Sequence, residues 1–375
     1  MEAWKWILLA LVAGLAAFFI LSGPGSERVP VVAPAREIEV AFSHRGVALT
    51  GTLNLPAGPG PHPALVLITG SGPQNRDSEI PGIPGYAPFR WIAEYLGTRG
   101  IAVLRYDDRG VGQSGGHFAA ATTADFADDA EAAFDYLRGR PEIAPTRVGI
   151  LGHSEGGIVA AMVAARRPEV AFVVSLAGSA VTGYETIVRQ VELIVLAAGA
   201  SADAAAAAAA QQRAILDLVV AGDWEALETL VVEIKLAQIA ALPPAQQQAL
   251  GDPDALARAL AAQDLAAFQS AWYREFLVHD PAQDWAKVRV PVLAVFGGVD
   301  VQVDADQNKA ALEEAISRAG NRDVTVVVLP EANHLFQKAV TGGLEEYALL
   351  PMEFHPRLLP AIGDWLLARV GPGAR

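Results

Sequence analysis

The chain has 375 residues, 52% of them hydrophobic and 19% charged, which supports a large core and excludes a globally disordered protein. This length suits one large α/β domain together with an insertion or a small second domain. The net charge of −14 argues against a nucleic-acid-binding protein, because an acidic surface repels phosphate groups. The chain has no cysteine, which excludes disulfides, thiolate catalysis and cysteine-based zinc sites.

The first feature in chain order is a hydrophobic segment, Trp6–Leu21, which follows Lys5 and ends before Gly23. It is slightly short for a membrane-spanning helix of about 20 residues and slightly long for the roughly 7–15-residue core of a signal peptide. An uncleaved membrane anchor and a cleaved export signal therefore both remain open, as does a start buried in the fold. Either of the first two places the folded domain outside the cytoplasm, membrane-anchored or exported to the periplasm or the medium. We assign residues 1–22 to this anchor or signal and 23–36 to a linker rich in Pro, Gly and Ser.

The body of the chain alternates strand and helix signals. Two short β-rich runs, residues 37–42 and 47–55, are separated by a hairpin signal and predict the first strands. The continuous apolar run 64–69, between prolines and glycines, predicts a buried strand. Further strands are predicted at residues 101–106, 147–152, 171–176, 290–296 and 324–329. Helices are predicted where apolar residues recur at helical spacing, at residues 89–97, 124–137, 156–166, 305–319 and 357–369. Such alternation is typical of an α/β fold whose mostly parallel sheet is covered by helices on both faces.

One stretch, residues 181–284, interrupts this alternation because it shows no strand signal. It is rich in Ala, Leu, Gln and Glu, and its alanine tract at 204–210 favours helix, since alanine is the best helix former. Helical runs are predicted at residues 184–198, 202–220, 223–241, 244–262 and 264–278. We therefore predict an all-helical insertion at 181–284, which divides the α/β core into residues 37–180 and 285–375.

A serine in the middle of the chain stands where a predicted strand meets a predicted helix. Strand 147–152 runs directly into Gly-His-Ser-Glu-Gly, in which glycines flank Ser154 two positions away on either side. This is the pattern of a nucleophile elbow, a strained turn in which glycines leave room for close chain packing. We predict that Ser154 is a nucleophile and that the backbone N–H of Glu155, at the helix start, points at the reacting oxygen. The alternative is a glycine-rich turn with an inert serine.

The same Gly-x-Ser-x-Gly spacing occurs once more, around Ser114. The preceding strand ends near Tyr106, eight residues earlier, and no helix signal follows the motif directly. Ser114 therefore lacks the strand–turn–helix context that an elbow needs, and Ser154 is the preferred nucleophile.

Residues 110–115 of the same loop match the Gly-x-Gly-x-x-Gly pattern of a dinucleotide site. Such a site needs a helix directly afterwards and an acid that ends a second strand about 20 residues on. Here the corresponding acids, Asp128 and Asp129, fall within a predicted helix. We interpret the loop as a tight turn at the sheet edge and expect no nucleotide cofactor.

A serine nucleophile needs a base, which in elbow-type folds follows the serine and an acid in chain order. Three of the seven histidines come after the serine: His279, His334 and His355. Only His334 directly follows a predicted strand, in a loop at the carboxyl end of the sheet, where catalytic groups collect. His279 is more typical of a helix end, His355 precedes a proline, and His153 comes too early in the chain. We predict that His334 is the base, with a locally hydrogen-bonded loop histidine as the alternative.

The orienting acid should leave the strand that precedes this loop. Asp300 is the first acid after strand 290–296, reached through Gly297 and Gly298. Asp304 and Asp306 are rivals, but they lie one or two turns later, where Asp306 is expected to cap the next helix. We predict that Asp300 is the acid of the site.

A second oxyanion donor should come from the loop after the third strand. This loop, residues 69–77, contains Gly70 and Gly72, which allow backbone N–H groups to converge on one oxygen. The alternative is a flexible turn without a catalytic role.

These motifs together resemble the α/β-hydrolase superfamily, most closely its bacterial esterase and serine-aminopeptidase-like branch, whose members often carry a helical cap. The matching segments are residues 47–56, 70–73, 105–114, 152–156, 298–300 and 333–334. The resemblance covers residues 37–180 and 285–370. It implies an eight-stranded, mostly parallel sheet with an inserted all-helical cap, and structural roles near the site for Asp108 and Arg109.

The resemblance further implies a Ser154–His334–Asp300 triad, with oxyanion donors from the backbone N–H groups of Ser71 and Glu155. No metal and no organic cofactor is expected, because acyl transfer by such a triad needs neither. We therefore expect a serine hydrolase that cleaves small-molecule carboxylic esters through an acyl-enzyme intermediate. Two other functions remain open: a peptidase or amidase of the same fold, and a non-catalytic, membrane-associated binding protein.

Overall fold

The computed structural model describes residues 36–80 and 83–371. The predicted hydrophobic segment and nearly all of the linker therefore lie outside the described residues. Eight strands are present: β1 (Arg36–His44), β2 (Val47–Leu55), β3 (His62–Ile68), β4 (Ala102–Tyr106), β5 (Ile143–His153), β6 (Val173–Leu176), β7 (Val292–Gly297) and β8 (Val324–Leu329).

The eight strands form one sheet in the order β1-β2-β4-β3-β5-β6-β7-β8. The β1–β2 and β2–β4 ladders are antiparallel, and all the other ladders are parallel. The central strands are buried because their runs of apolar residues face helices on both sides. The predicted eight-stranded, mostly parallel α/β sheet is confirmed.

Helices of the α/β core flank this sheet: α1 (Pro88–Gly97), α2 (Thr123–Arg138), α3 (Glu155–Arg166), α10 (Pro281–Trp285), α11 (Ala305–Arg318) and α12 (Leu358–Val370). Helices α1 and α12 share one apolar cluster with alternate residues of the strands, among them Leu65, Leu151 and Val295. Helices α2 and α3 pack on each other and on β5. This arrangement brings the carboxyl ends of the parallel strands to one edge, where the predicted site residues lie.

The helical insertion, Thr182–His279, forms a compact unit of its own. Its helices are α4 (Gly183–Ala197), α5 (Ala202–Ala221), α6 (Trp224–Ala240), α7 (Pro244–Leu250), α8 (Pro253–Phe268) and α9 (Ala271–Val278). They enclose an apolar cluster that includes Leu216, Val231 and Phe268.

The insertion ends earlier than the predicted residue 284, because helix α10 belongs to the α/β core. Asp280 begins α10 by accepting a hydrogen bond from the backbone N–H of Ala282 at 3.0 Å. Trp285, at the end of α10, is only 1% exposed, and the helix packs against α3 and α11. A buried tryptophan thus fixes the boundary.

The predicted helices 244–262 and 264–278 are wrong in their boundaries, because the chain breaks at other points. Gly251 has a left-handed backbone with φ 79°, and Asp252 caps a new helix that has Pro253 in its first turn. Ser270 caps the next helix by accepting a hydrogen bond from the Tyr273 backbone N–H at 3.1 Å. The capping residues therefore decide these boundaries.

Among the described residues one helix, α5, is long and apolar enough to span a membrane by length and composition. The most apolar 18-residue stretch of this helix has a mean hydropathy of 1.2, and 39% of that stretch is buried. Its residues Ile215 and Val219 belong to the apolar cluster of the insertion. A helix that packs within a helical unit passes the same test, so α5 is weak evidence for membrane insertion.

Candidate active site

The predicted nucleophile, Ser154, lies at the sharp turn between β5 and α3. Its backbone has φ 57° and ψ −122°, a region that non-glycine residues rarely adopt and that costs roughly 1–3 kcal/mol. The Ser154 N–H donates to the Leu176 carbonyl at 2.9 Å, which secures the turn to the end of β6. A Cβ atom at Gly152 would overlap the Gly156 carbonyl, and one at Gly156 would overlap the Ile68 carbonyl, so both flanking glycines are needed for this close packing.

The predicted oxyanion loop after β3 lies directly beside this turn. A Cβ atom at Gly70 would lie 3.0 Å from the Ser154 Cβ, so the loop backbone contacts the serine. The Ser71 hydroxyl donates to one Glu155 carboxylate oxygen at 2.7 Å, and Thr123 donates to the other at 2.6 Å. Glu155 therefore ties the loop to both the elbow and helix α2.

Asp108 binds two residues of the same loop. Its two carboxylate oxygens accept hydrogen bonds from the Thr69 hydroxyl at 2.7 Å and from the Gln74 backbone N–H at 2.9 Å. Burial raises the pKa of Asp108 to about 7, the two hydrogen bonds oppose this rise, and the nearby Glu155 and Asp129 carboxylates add to it. Asp108 thus positions the loop, as the resemblance implied.

We expect Asp108→Asn to flatten the dependence of stability on pH. A carboxyl whose pKa is raised on folding binds more protons in the folded state, so the free energy of unfolding falls as pH rises from about 4 to about 7. An asparagine at this position can accept from Gln74 and donate to Thr69, and it does not titrate. Thermal unfolding from pH 4.5 to 8 checks this.

Asp108→Ala serves as the contrast, because it leaves the Thr69 hydroxyl and the Gln74 N–H without their acceptor. It should lower the free energy of unfolding by roughly 1–3 kcal/mol at every pH. The prediction would be contradicted if the free energy of unfolding changed with pH by the same amount in Asp108→Asn as in the unmodified protein.

The predicted base and acid are brought together at the ends of β8 and β7. His334 Nδ1 lies 2.8 Å from Asp300 Oδ2, and the two side chains are 6% and 0% exposed. The other oxygen, Asp300 Oδ1, accepts from the backbone N–H groups of Gln302 at 2.7 Å and Val303 at 2.9 Å. The carboxylate is therefore fixed by three hydrogen bonds and can hold a protonated imidazole.

The turn that carries His334 is itself tightly built. Asn333 is fully buried, and its side-chain oxygen accepts from the N–H groups of Leu335 at 3.0 Å and Gln337 at 2.9 Å. A Cβ atom at Gly298 would lie 2.6 Å from the Pro330 Cα, so the two loops approach closely. This close approach allows the acid and the base to meet.

The rivals of the preferred residues have other partners. Asp304, and not Asp306 as expected, caps helix α11 by accepting from the Asp306 N–H at 3.2 Å. Ser114 is buried; its hydroxyl accepts from the Thr50 N–H at 3.0 Å and donates to the Asp107 carbonyl at 2.8 Å. Both therefore contribute to local structure.

The remaining sequence candidates are explained in the same way. His279 ends helix α9, and His355 accepts from the Arg357 N–H at 3.3 Å. Asp129 pairs with Arg109 at 2.7 Å within the core and does not end a strand, as a nucleotide-binding acid would. Within residues 36–80 and 83–371, no group of three or more His, Cys, Asp or Glu could hold a metal ion.

One residue that the sequence analysis set aside contacts the predicted base. His153 Nε2 lies 3.0 Å from the His334 carbonyl oxygen, and the two ring centroids are 4.8 Å apart. Burial, with a smaller contribution from His334, lowers the pKa of His153 to about 4. His153 precedes the acid and the base in the chain, and its contact with His334 joins two loops that are 181 residues apart, which no local sequence pattern indicates.

Comparison with known proteins agrees with this fold. Residues 86–338 match the family described as serine aminopeptidase, S33. Esterase EstD of Thermotoga maritima is 25% identical over 325 residues, which are 85% of this chain and 65% of EstD. This chain thus spans just under two thirds of that relative.

Solved structures agree on the fold. The Pyrococcus furiosus esterase Pf2001 aligns over 94% of this chain and 100% of its own, with a TM-score of 0.55 and 14% identity. The α/β hydrolase GrgF from Penicillium sp. sh18 aligns over 80% of this chain and 91% of its own, with a TM-score of 0.50 and 19% identity. By its fold and by the family match over residues 86–338, the chain belongs to the serine aminopeptidase (S33) family of α/β hydrolases.

Proposed function

We propose that this protein is a serine hydrolase that cleaves small-molecule carboxylic esters. The observation that carries the proposal is the buried hydrogen bond between His334 and Asp300, at the same sheet edge as the strained turn of Ser154. A base with its orienting acid next to an elbow serine is the arrangement that activates a hydroxyl for acyl transfer.

In the proposed reaction, the Ser154 hydroxyl attacks the ester carbonyl while His334 Nε2 takes its proton. Asp300 holds the His334 tautomer and stabilises the imidazolium that forms. The backbone N–H groups of Ser71 and Glu155 donate to the oxyanion, and each such donor is worth roughly 3 kcal/mol. His334 then protonates the leaving alcohol, and water attacks the acyl-enzyme by the same route in reverse.

A small, mainly apolar cavity of about 20 Å³ lies beside His153. Its described lining includes Ile80, Tyr86, Phe89, Leu335 and Phe354. A cavity of this volume admits about one water molecule, so it is too small for an acyl or peptide group and does not decide between an ester and a peptide substrate.

A peptidase or amidase is the second candidate, because the family that matches residues 86–338 is described as serine aminopeptidase. In this reading the enzyme needs an acidic or amide anchor for the free amino terminus of its substrate. The esterase reading is preferred because EstD is named an esterase.

The hydrophobic segment Trp6–Leu21 supports a further part of the proposal, that the catalytic domain works outside the cytoplasm. An uncleaved segment anchors the enzyme in the membrane, and a cleaved one releases it. Cell fractionation with mass determination of the mature amino terminus distinguishes the two, and a full-length chain in the cytoplasmic fraction would contradict both.

The test of function is a comparison of two substrate series on the full chain in mild detergent. We expect hydrolysis of p-nitrophenyl esters from C2 to C12, with kcat/KM at least about 100-fold higher than for aminoacyl p-nitroanilides. The reverse preference would favour the peptidase. A folded protein that hydrolyses neither series would favour a binding protein.

A further inference from the structure

We propose that His153 is a positioning residue that fixes the predicted base, His334, by donating its Nε2–H to the His334 backbone carbonyl. The proposal rests on the proposed function, because it assigns a role within that catalytic site. It differs from the triad roles in that His153 acts on the backbone of His334 and not on the reacting atoms.

The contact defines the tautomer of His153. Its Nε2 lies 3.0 Å from the His334 carbonyl oxygen, and a carbonyl oxygen can only accept a hydrogen bond. Nε2 therefore carries the proton of the neutral ring. The ring centroid of His153 lies 4.8 Å from that of His334 and 6.3 Å from that of Phe336, so contacts with two rings help to hold the donor in place.

The proposed role of His153 requires that its ring be neutral. During the reaction His334 becomes an imidazolium, and a second cation 4.8 Å away would oppose that charge. The charged or titratable groups that affect His153 are His334 and Asp300. Because the pKa of His153 is lowered to about 4, the ring stays neutral at the pH at which His334 must take up a proton.

Residues 334 and 335 each have their own hydrogen-bond partners from other parts of the chain. The Tyr86 hydroxyl donates to the Leu335 carbonyl, and the Asn333 side chain accepts from the Leu335 N–H. The Asp300 carboxylate fixes the imidazole of His334, and His153 fixes its carbonyl. Without His153 the ring keeps its acid partner but loses one anchor of its main chain. A displacement of about 1 Å at a catalytic group can cost roughly 100-fold in rate.

Two amide side chains give a matched pair of variants. In glutamine the amide nitrogen is as many bonds from Cβ as His Nε2, whereas in asparagine it is as many bonds away as His Nδ1. His153→Gln therefore retains a donor that reaches the carbonyl, and His153→Asn does not. We expect His153→Asn to lower kcat for p-nitrophenyl butyrate by roughly 10- to 100-fold with little change in KM, and His153→Gln to restore most of it.

Two further readouts separate positioning from a loss of folding. Burst titration of active sites gives kcat per functional site, so a misfolded fraction does not count. The acid limb of kcat/KM should shift to lower pH in His153→Asn only, because a displaced His334 forms a weaker bond with Asp300 and holds its proton less firmly. Equal kcat per site and equal acid limbs in the two variants would overturn the proposal.

The proposal also has a measurement that does not depend on ester hydrolysis. NMR of ¹⁵N-labelled imidazoles should show His153 protonated at Nε2 and neutral at pH 7, and a His334 titration that moves to lower pH in His153→Asn but not in His153→Gln. An unmodified protein without esterase activity would refute the proposed function alone. A His334 titration that is the same in all three proteins would refute the positioning role.

Discussion

Ser154→Ala is expected to lower kcat for p-nitrophenyl esters by about 10³-fold or more, because it removes the hydroxyl that is acylated in the proposed mechanism. The turn itself should persist. Its left-handed backbone and the N–H bond to Leu176 do not involve the hydroxyl, so thermal stability should change little. Steady-state kinetics and mass spectrometry after treatment with a fluorophosphonate check the result, since the adduct should form on Ser154 and be absent from the variant.

The chain contains its own control for this experiment. Ser114 has the same Gly-x-Ser-x-Gly spacing, but its hydroxyl bonds to Thr50 and Asp107. Ser114→Ala should leave kcat within about twofold and should destabilise by roughly 1–3 kcal/mol, because the Thr50 N–H loses its partner. A catalytic loss in Ser114→Ala with activity retained in Ser154→Ala would reverse the assignment.

Asp300→Asn is expected to lower kcat near pH 7 by about 10⁴-fold, through the tautomer of His334. The N–H groups of Gln302 and Val303 both donate to Asp300 Oδ1, so the asparagine oxygen must stay on that side. Its amide then points N–H at His334 Nδ1, which must accept. His334 therefore carries its proton on Nε2 and cannot take one from the serine.

The rival acid again provides the matched control. Asp304 caps helix α11, and asparagine is about as good an N-cap as aspartate. Asp304→Asn should therefore leave both activity and stability close to those of the unmodified protein. If Asp304→Asn were the inactive variant and Asp300→Asn the active one, the acid of the site would have to be reassigned.

Most strands were predictable because they contain short apolar runs, and β2 and β8 match the prediction to the residue. The mostly exposed β1 was indicated by its β-rich residues and by the hairpin turn before β2. The sheet class follows from the alternation of strands and helices. Helix boundaries in the insertion were less predictable, because Ala-rich helices carry little hydrophobic periodicity and single caps such as Asp252 and Ser270 decide where they end.

For the site, the motifs indicated which residues to consider, but not all of their contacts. The nearness of Asp300 to His334 followed from the rule that the carboxyl ends of parallel strands share one edge. The contact of His153 with the His334 carbonyl depends on how two loops from distant parts of the chain pack, which no local pattern reports. The same holds for the link from Glu155 to Ser71 and Thr123.

The helical insertion leaves the α/β core after β6 and returns before β7, two strands that still pair directly in the sheet. Thr182 and Asp280 each begin a new helix with their own capping hydrogen bonds at these two points. The register of the sheet therefore does not depend on what lies between them. A segment of another length could therefore occupy this position while the strand ends that carry Ser154, Asp300 and His334 keep their places, so related proteins could differ here and retain the same sheet edge.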